Sequence, residues 1–391
     1  MPNARACALL CALLLAAAPV ARGARPSTAA HRLDDAAAPS GAPTARGSES
    51  GGGGDAGWTS WLPSWPLAPF RGWNPFGPHD AGACENSDIR KFGLKALREM
   101  PFIGLFENLR NVSKFEASGM TMAKGSLWVV FDNLHSIGRV DEHFQFRDPI
   151  NVLLGHLGKD SQFEGLSYDE VDDRFYAIEE VVEQEDTHLH PVVQEIAIND
   201  RTKTYDIVER CPVEFELTHA NKGFEGIHYW RDAKDRSREF LLGLCEGNWC
   251  EGGRRGREAG NGRVVVASFW KNDTGCGWEV VKVVEIPRTA KFIDYSGIAF
   301  RGDRVGITSQ ENSALWIGHF DFEELEFVRN EEAQVYHFPR DNHCEMIYCN
   351  VEGITWLDDS RIIFSSDKAK STQPYRCTAH DQSIGIFALP N

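Results

Sequence analysis

From about residue 101 to the C-terminus, apolar positions fall in short runs broken by Gly, Asp and Asn, the pattern of strands and turns rather than helices. Five segments open alike: Phe115-Glu-Ala-Ser-Gly-Met, Phe163-Glu-Gly-Leu, Phe224-Glu-Gly-Ile, Ile293-Asp-Tyr-Ser-Gly-Ile and Val351-Glu-Gly-Ile. Each reads apolar, acid, small residues ending in glycine, apolar. The acids are Glu116, Glu164, Glu225, Asp294 and Glu352, spaced by 48, 61, 69 and 58 residues. A second strand follows each opening (Leu127–Phe131, Phe175–Ile178, Phe240–Leu244, Val305–Thr308, Ile362–Phe364), closed by a polar residue: Asp132, Glu180, Glu246, Gln310 or Glu311, and Asp367. A third strand follows in every copy and a fourth in four of them.

Self-similarity at this period predicts an all-β fold, a β-propeller of five blades; the long third and fourth periods leave room for a degenerate sixth. A β-sandwich would not explain why one acid recurs at one place. The fifth copy reaches Asn391 before a fourth strand, and the segment around Phe102 to Val112 is expected to supply it and close the ring. The expected organisation is a signal peptide over 1–23, a disordered linker over 24–57, a Trp/Pro-rich strap with a short helix over 58–100, and the propeller over 101–391. The helix is expected over Ser87 to Met100, with Asp88 near its start.

In a propeller the first strand of each blade lines the central channel. The five acids would then ring one channel mouth. Two carboxylates about 6 Å apart repel by roughly 3 kcal/mol at an effective dielectric of about 20, so something must offset the charge. Ca²⁺ would do so, being a hard cation that takes oxygen ligands. The five acids, with Asn248, Asn312 and Asp367, form the candidate metal set, and Asp132, Asn133, Glu180, Glu246 and Lys368 the candidate ligand contacts. The opposing reading is that each acid accepts backbone N–H bonds from the neighbouring blade and ties the ring together. Two further candidates are weaker: His188 with His190 as metal ligands, and Arg254, Arg255 and Arg257 as an anion grip.

The remaining features concern compartment and partners. Arg5, the apolar run Ala6–Val20 and the small residues Ala21 and Gly23 fit a cleaved export signal; a two-part plastid address is the alternative. No later stretch is long and apolar enough to span a membrane. Of ten cysteines, eight lie beyond the leader, an even number that suggests disulfides, with Cys245/Cys250 and Cys344/Cys349 at the same spacing. Asn111 and Asn272 stand in glycosylation sequons. A net charge of −16 argues against nucleic acid, whose phosphates it would repel. Trp58, Trp61, Trp65 and Trp73 lie among prolines, either as a strap on the propeller or as a docking segment for a protein partner. A monomer is expected. There is no G-x-S-x-G elbow, no H-E-x-x-H and no Gly-rich phosphate loop.

Glu116-Ala-Ser-Gly with Leu127-Trp-Val-Val-Phe-Asp-Asn, together with the repeated Glu-Gly openings, resembles the SdiA-regulated and phytase-like esterase propellers over about residues 101 to 391. The Glu-Gly opening is also similar to that of metal-dependent propeller lactonases. That likeness implies one divalent ion held by Glu116 or Glu164, Asn248, Asn312 and Asp367, although the chain lacks a clear Asn-Asp pair and has extra cysteines. The leading expectation is a secreted Ca²⁺-binding propeller that recognises a small molecule or protein at one channel mouth. A metal-dependent hydrolase and a purely structural scaffold are the alternatives.

Overall fold

A computed structural model describes residues 84–109, 111–159, 161–183, 189–219, 222–329 and 332–390. The signal-peptide, linker and Trp-rich expectations, and His188, lie outside the described residues. The described chain forms five antiparallel sheets, each one blade. The first comprises Ala117–Ala123, Ser126–Phe131, Leu134–Val140 and Val152–Lys159. The second comprises Phe163–Asp169, Arg174–Glu183, Leu189–Asn199 and Thr204–Pro212. The third comprises Phe224–Arg231, Glu239–Cys245, Arg263–Asn272 and Gly275–Glu285. In the fourth, Gly297–Arg301, Arg304–Ser309 and Ala314–Asp321 are followed by a split outer strand, Glu326–Phe327 and Gln334–His337, both halves pairing with Ala314–Asp321.

The fifth blade corrects the sequence reading. Its outer strand is Lys95–Pro101, which pairs antiparallel with Ser383–Ala388 from Lys95↔Ala388 to Pro101↔Ser383. The segment expected to close the ring starts instead with a four-residue helix, Phe102–Leu105. The expected helix over Ser87–Met100 is only Ser87–Lys91, with the Asn86 side chain accepting from the backbone of Asp88 at 3.0 Å and Ile89 at 3.4 Å. Glu99 explains why the closing strand settles there. Its buried carboxylate accepts from His380 at 2.9 Å, Tyr348 at 3.0 Å and Ser383 at 2.9 Å, all on the other side of the seam.

One apolar core lies between each pair of neighbouring blades, including the pair that closes the ring, where Phe115, Leu127 and Phe131 meet Ile363, Ile384 and Ile386. Both sheet faces are therefore buried, which accounts for near-continuous apolar runs such as Leu127–Phe131. Four disulfides form: Cys84–Cys344, Cys211–Cys276, Cys245–Cys250 and Cys349–Cys377. The two equal spacings thus end differently, since Cys245 bonds Cys250 but Cys344 and Cys349 each find a distant partner.

The blades meet at the axis through glycine. A Cβ on Gly119 would lie 2.6 Å from Cα of Gly165; one on Gly165, 2.7 Å from N of Ile227 and 2.9 Å from Cα of Gly226; one on Gly297, 2.2 Å from the Glu352 carbonyl. The obstacle is backbone in each case, so it cannot rotate away. Gly165→Ala should cost about 3 kcal/mol, at the upper end of overpacking, and lower the melting temperature clearly. Gly275→Ala is the control and should be near neutral, since nothing lies within 4 Å of its Cβ position. Thermal denaturation of the two variants checks this.

Candidate functional site

The opening glycines also set the register of the acids, and they divide into two classes. Counting back from Gly165, Gly226 and Gly353, the adjacent residue is Glu164, Glu225 or Glu352. Counting back from Gly119 and Gly297, it is Ser118 or Ser296, with Glu116 and Asp294 two residues earlier. Strand pairing supports this alignment: a register shift falls between Ala117 and Gly119, between Phe163 and Gly165, and between Phe224 and Gly226. The five acids therefore do not occupy one place. Both serines are buried and tie blade to blade: Ser118 donates to the carbonyl of Phe163, and Ser296 donates to that of Val351 at 2.8 Å. These carbonyls belong to the residues just before Glu164 and Glu352. The inter-blade tie foreseen for the acids is thus made by serine in two blades.

Glu164, Glu225 and Glu352 form the inner set. Glu164 and Glu225 are buried, and Glu352 keeps partial exposure. Burial pushes the pKa of all three well above the ordinary carboxylate range, and neighbouring acids push it further: Glu352 and Asp132 act on Glu164, Glu246 on Glu225, and Asp367 on Glu352. Around them stand the residues that close the second strands. Glu180 is raised to about 7 by burial, against a bond it accepts from the Gly223 N–H at 3.0 Å. Asp367 is likewise raised to about 7 by burial, against the Lys368 backbone N–H, and Glu116 and Asp132 add to it. Glu246 pairs with Lys222, and Glu116 with Lys114. Carboxylate oxygens of Glu180, Glu225 and Glu246 lie within 4.8 Å of one another. Lys370, rather than Lys368, is the ammonium that opposes the shifts of Glu352 and Asp367.

The amide candidates serve the backbone instead. Asn248 is fully buried, donates to Gly256 at 3.0 Å and Ile293 at 2.8 Å, and accepts from Asn261 at 2.7 Å. Asn312 accepts from the Ile293 N–H at 2.9 Å, and Asn133 from that of Glu116 at 3.0 Å. Asp294 accepts from Ser309 and from the Glu311 N–H at 3.2 Å, so its carboxylate caps a turn; burial raises it to about 6. These hydrogen bonds hold the loops around the mouth. Arg257 is paired with Glu311 at 2.5 and 2.6 Å, and Arg255 with Glu251 at 3.1 Å. His190 lies 3.1 Å from the Val213 carbonyl. Asn111 and Asn272 are both exposed.

No protein-family model matches the chain, and no curated protein matches it by sequence. Distant structural neighbours include several enzymes and a nidogen/laminin complex. A glutaminyl cyclase from Myxococcus xanthus aligns at 10% identity over 76% of this chain and 96% of that one, with a TM-score of 0.43. A PQQ-bound aldose sugar dehydrogenase from Streptomyces coelicolor aligns at 12% identity over 76% and 98%, also at 0.43. A streptogramin B lyase structure aligns at 12% identity over 75% and 97%, at 0.32. Likeness at this level carries no argument about chemistry. Among the described residues no helix is long and apolar enough to cross a membrane.

The raised carboxylates make stability depend on pH. A folded-state pKa above the unfolded one means that the native protein binds more protons between the two values, so stability falls as pH rises through the folded pKa. For Glu180 and Asp367 that window runs from the unfolded value of about 4 up to about 7. Cation-free protein should therefore melt higher at pH 6 than at pH 8, by on the order of 2 kcal/mol. Melting curves in chelator at the two pH values check this, and equal curves would contradict the assigned burial.

Proposed function

We propose that this chain is an extracytoplasmic propeller that binds a divalent cation, Ca²⁺, at its acidic mouth and uses it to hold a small molecule or partner there. The observation that carries the reading is the trio Glu180, Glu225 and Glu246, whose oxygens lie within 4.8 Å of one another. Three carboxylate oxygens this close to one another are within reach of a single shared hard cation once they draw in to its ligand distance. Burial also leaves the inner carboxylates costly to ionise unless a cation accompanies them. Glu164, Glu352 and Asp367 then supply charge at longer range, and Lys222 is the internal competitor that the ion displaces from Glu246. The four disulfides support an oxidising compartment.

A second reading, the metal-dependent hydrolase that the esterase and lactonase resemblance implies, draws on Glu180 and Asp367. Carboxylates poised at about 7 exchange protons near neutrality, as a general base acting on water must. Phosphoesters and lactones are the substrates to screen once ion binding is in hand.

Calorimetric titration of chelator-treated protein with Ca²⁺ tests the primary reading. Micromolar or tighter binding is expected. Glu225→Gln should weaken it at least about tenfold, roughly 1.4 kcal/mol, while raising the melting temperature of the cation-free protein at pH 8. Absence of binding in the unmutated protein would refute the cation site and leave the acids as parts of the scaffold. A destabilised Glu225→Gln would mean that the carboxylate holds the fold together instead.

A further inference from the structure

The far ends of the first strands enclose a second cavity, of about 290 Å³, remote from the acids in register. It is close to the lower size limit of small-molecule pockets. Met120, Met122, Leu166, Ile298 and Phe300 give it apolar walls, and Lys124, Tyr168 and Glu170 add polar and charged groups to its lining. At the second position after each opening glycine, four blades place a small residue in its lining: Thr121, Ser167, Ala299 and Thr355. The third blade places His228 there.

His228 is half-buried and stacks on Phe300, with ring centres 4.4 Å apart and an interplanar angle of 23°. Among the described residues, no hydrogen-bond partner reaches its ring nitrogens. Burial lowers its pKa to about 3, so the imidazole is neutral and offers one donor and one acceptor. The ring also packs beside Phe322, with centres 6.1 Å apart, whereas a small residue fills the same place in every other blade. Between this cavity and the acidic mouth the channel narrows to about 10 Å³ beside Gly119, Gly165, Gly226, Gly297 and Gly353. That is room for about one water, and Glu164 and Glu225 line this narrow space together with Met120, Leu166, Ile227 and Ile298 of the larger cavity.

We propose that this second mouth is a binding site for a small flat ring carrying one hydrogen-bonding group, with the ring against Phe300 and the methionines and the polar group on the His228 imidazole. The methionines suit such a ring, because thioethers adapt in shape and pack well on aromatic surfaces. The site is independent of the cation reading, as its lining includes none of the mouth carboxylates.

The test uses 2-naphthol as the probe, naphthalene as its non-hydrogen-bonding counterpart, and full-length protein with ¹⁵N-labelled histidine. 2-Naphthol is expected to shift one imidazole pair, identified by its loss in His228→Leu. Unmutated protein should prefer 2-naphthol to naphthalene about tenfold, and His228→Leu should lose that preference while still binding the ring. Met122→Trp should fill the cavity and abolish binding of both. His228→Gln supplies the assignment if His228→Leu fails to fold. No histidine shift at the solubility limit of 2-naphthol, or an unchanged preference in His228→Leu, would overturn the proposal. Ca²⁺ titration in the same sample is expected to be unaffected by 2-naphthol.

Discussion

The molecule depends on how closely five inner strands can approach one axis. Any side chain at the crossing would hold neighbouring backbones apart, and the sequence answers with Gly119, Gly165, Gly226, Gly297 and Gly353. At Gly119 and Gly165 a single added carbon would sit within 3 Å of the next blade's backbone. The apolar cores follow from this approach, because blades brought together at the axis press their faces against each other along their whole length. Closure follows as well: a ring with five buried interfaces leaves none for solvent, so the last blade must recruit Lys95–Pro101 from the other end of the chain. The buried hydrogen bonds converging on Glu99 fix that strand in register, where its own alternation of polar and apolar residues would not.

The same constraint defines the chemistry. A residue directly before a closely packed glycine has its Cα fixed against the axis, so a carboxylate there is held among its counterparts. Five such glutamates would be difficult to accommodate even with a cation. Two blades carry serine instead, and each serine steadies the carbonyl that precedes a glutamate in the next blade. Removing two charges turns a symmetrical ring into an uneven site, with Glu164 and Glu225 on adjacent blades and Glu352 apart from them. Glu225 lies on the fuller side, where Glu180 and Glu246 from the second strands stand close to it.

Much of this was legible in the sequence. The five openings gave blade number, strand order and the existence of an acidic mouth, because glycine and acid recur for reasons of geometry and geometry repeats. The register was legible too, but only by counting from the glycine: Glu116-Ala-Ser-Gly and Asp294-Tyr-Ser-Gly place serine where Glu164-Gly places acid. Counting from the preceding apolar residue hid this. Asn248, Asn312 and Asn133 bond to nearby backbone groups. An amide in a turn satisfies local backbone groups as readily as it binds a metal, and only the fold shows which. Lys95–Pro101 could not be told from a helix because a short mixed run fits both periods, and its partners lie far along the chain. His228 carried a signal in the repeat, as a large ring where the other copies are small, which aligned openings would have exposed.

The disulfides connect compartment to site. Cys245 directly precedes Glu246, Cys349 lies three residues before Glu352, and Cys377 sits in the loop that follows Asp367. Bonds from these cysteines to Cys250 and to each other fix loops at the acidic mouth, where strand pairing has ended and backbone would otherwise be free to move. A cluster of repelling carboxylates tends to spread its loops apart, and covalent links oppose that without supplying charge. A site held in this way would lose little entropy on taking up the proposed ion, since the carboxylates are already near one another. On the proposed cation reading, oxidation and ion binding would be successive requirements of one arrangement: the first holds the carboxylates together, and the second would make their proximity tolerable at neutral pH.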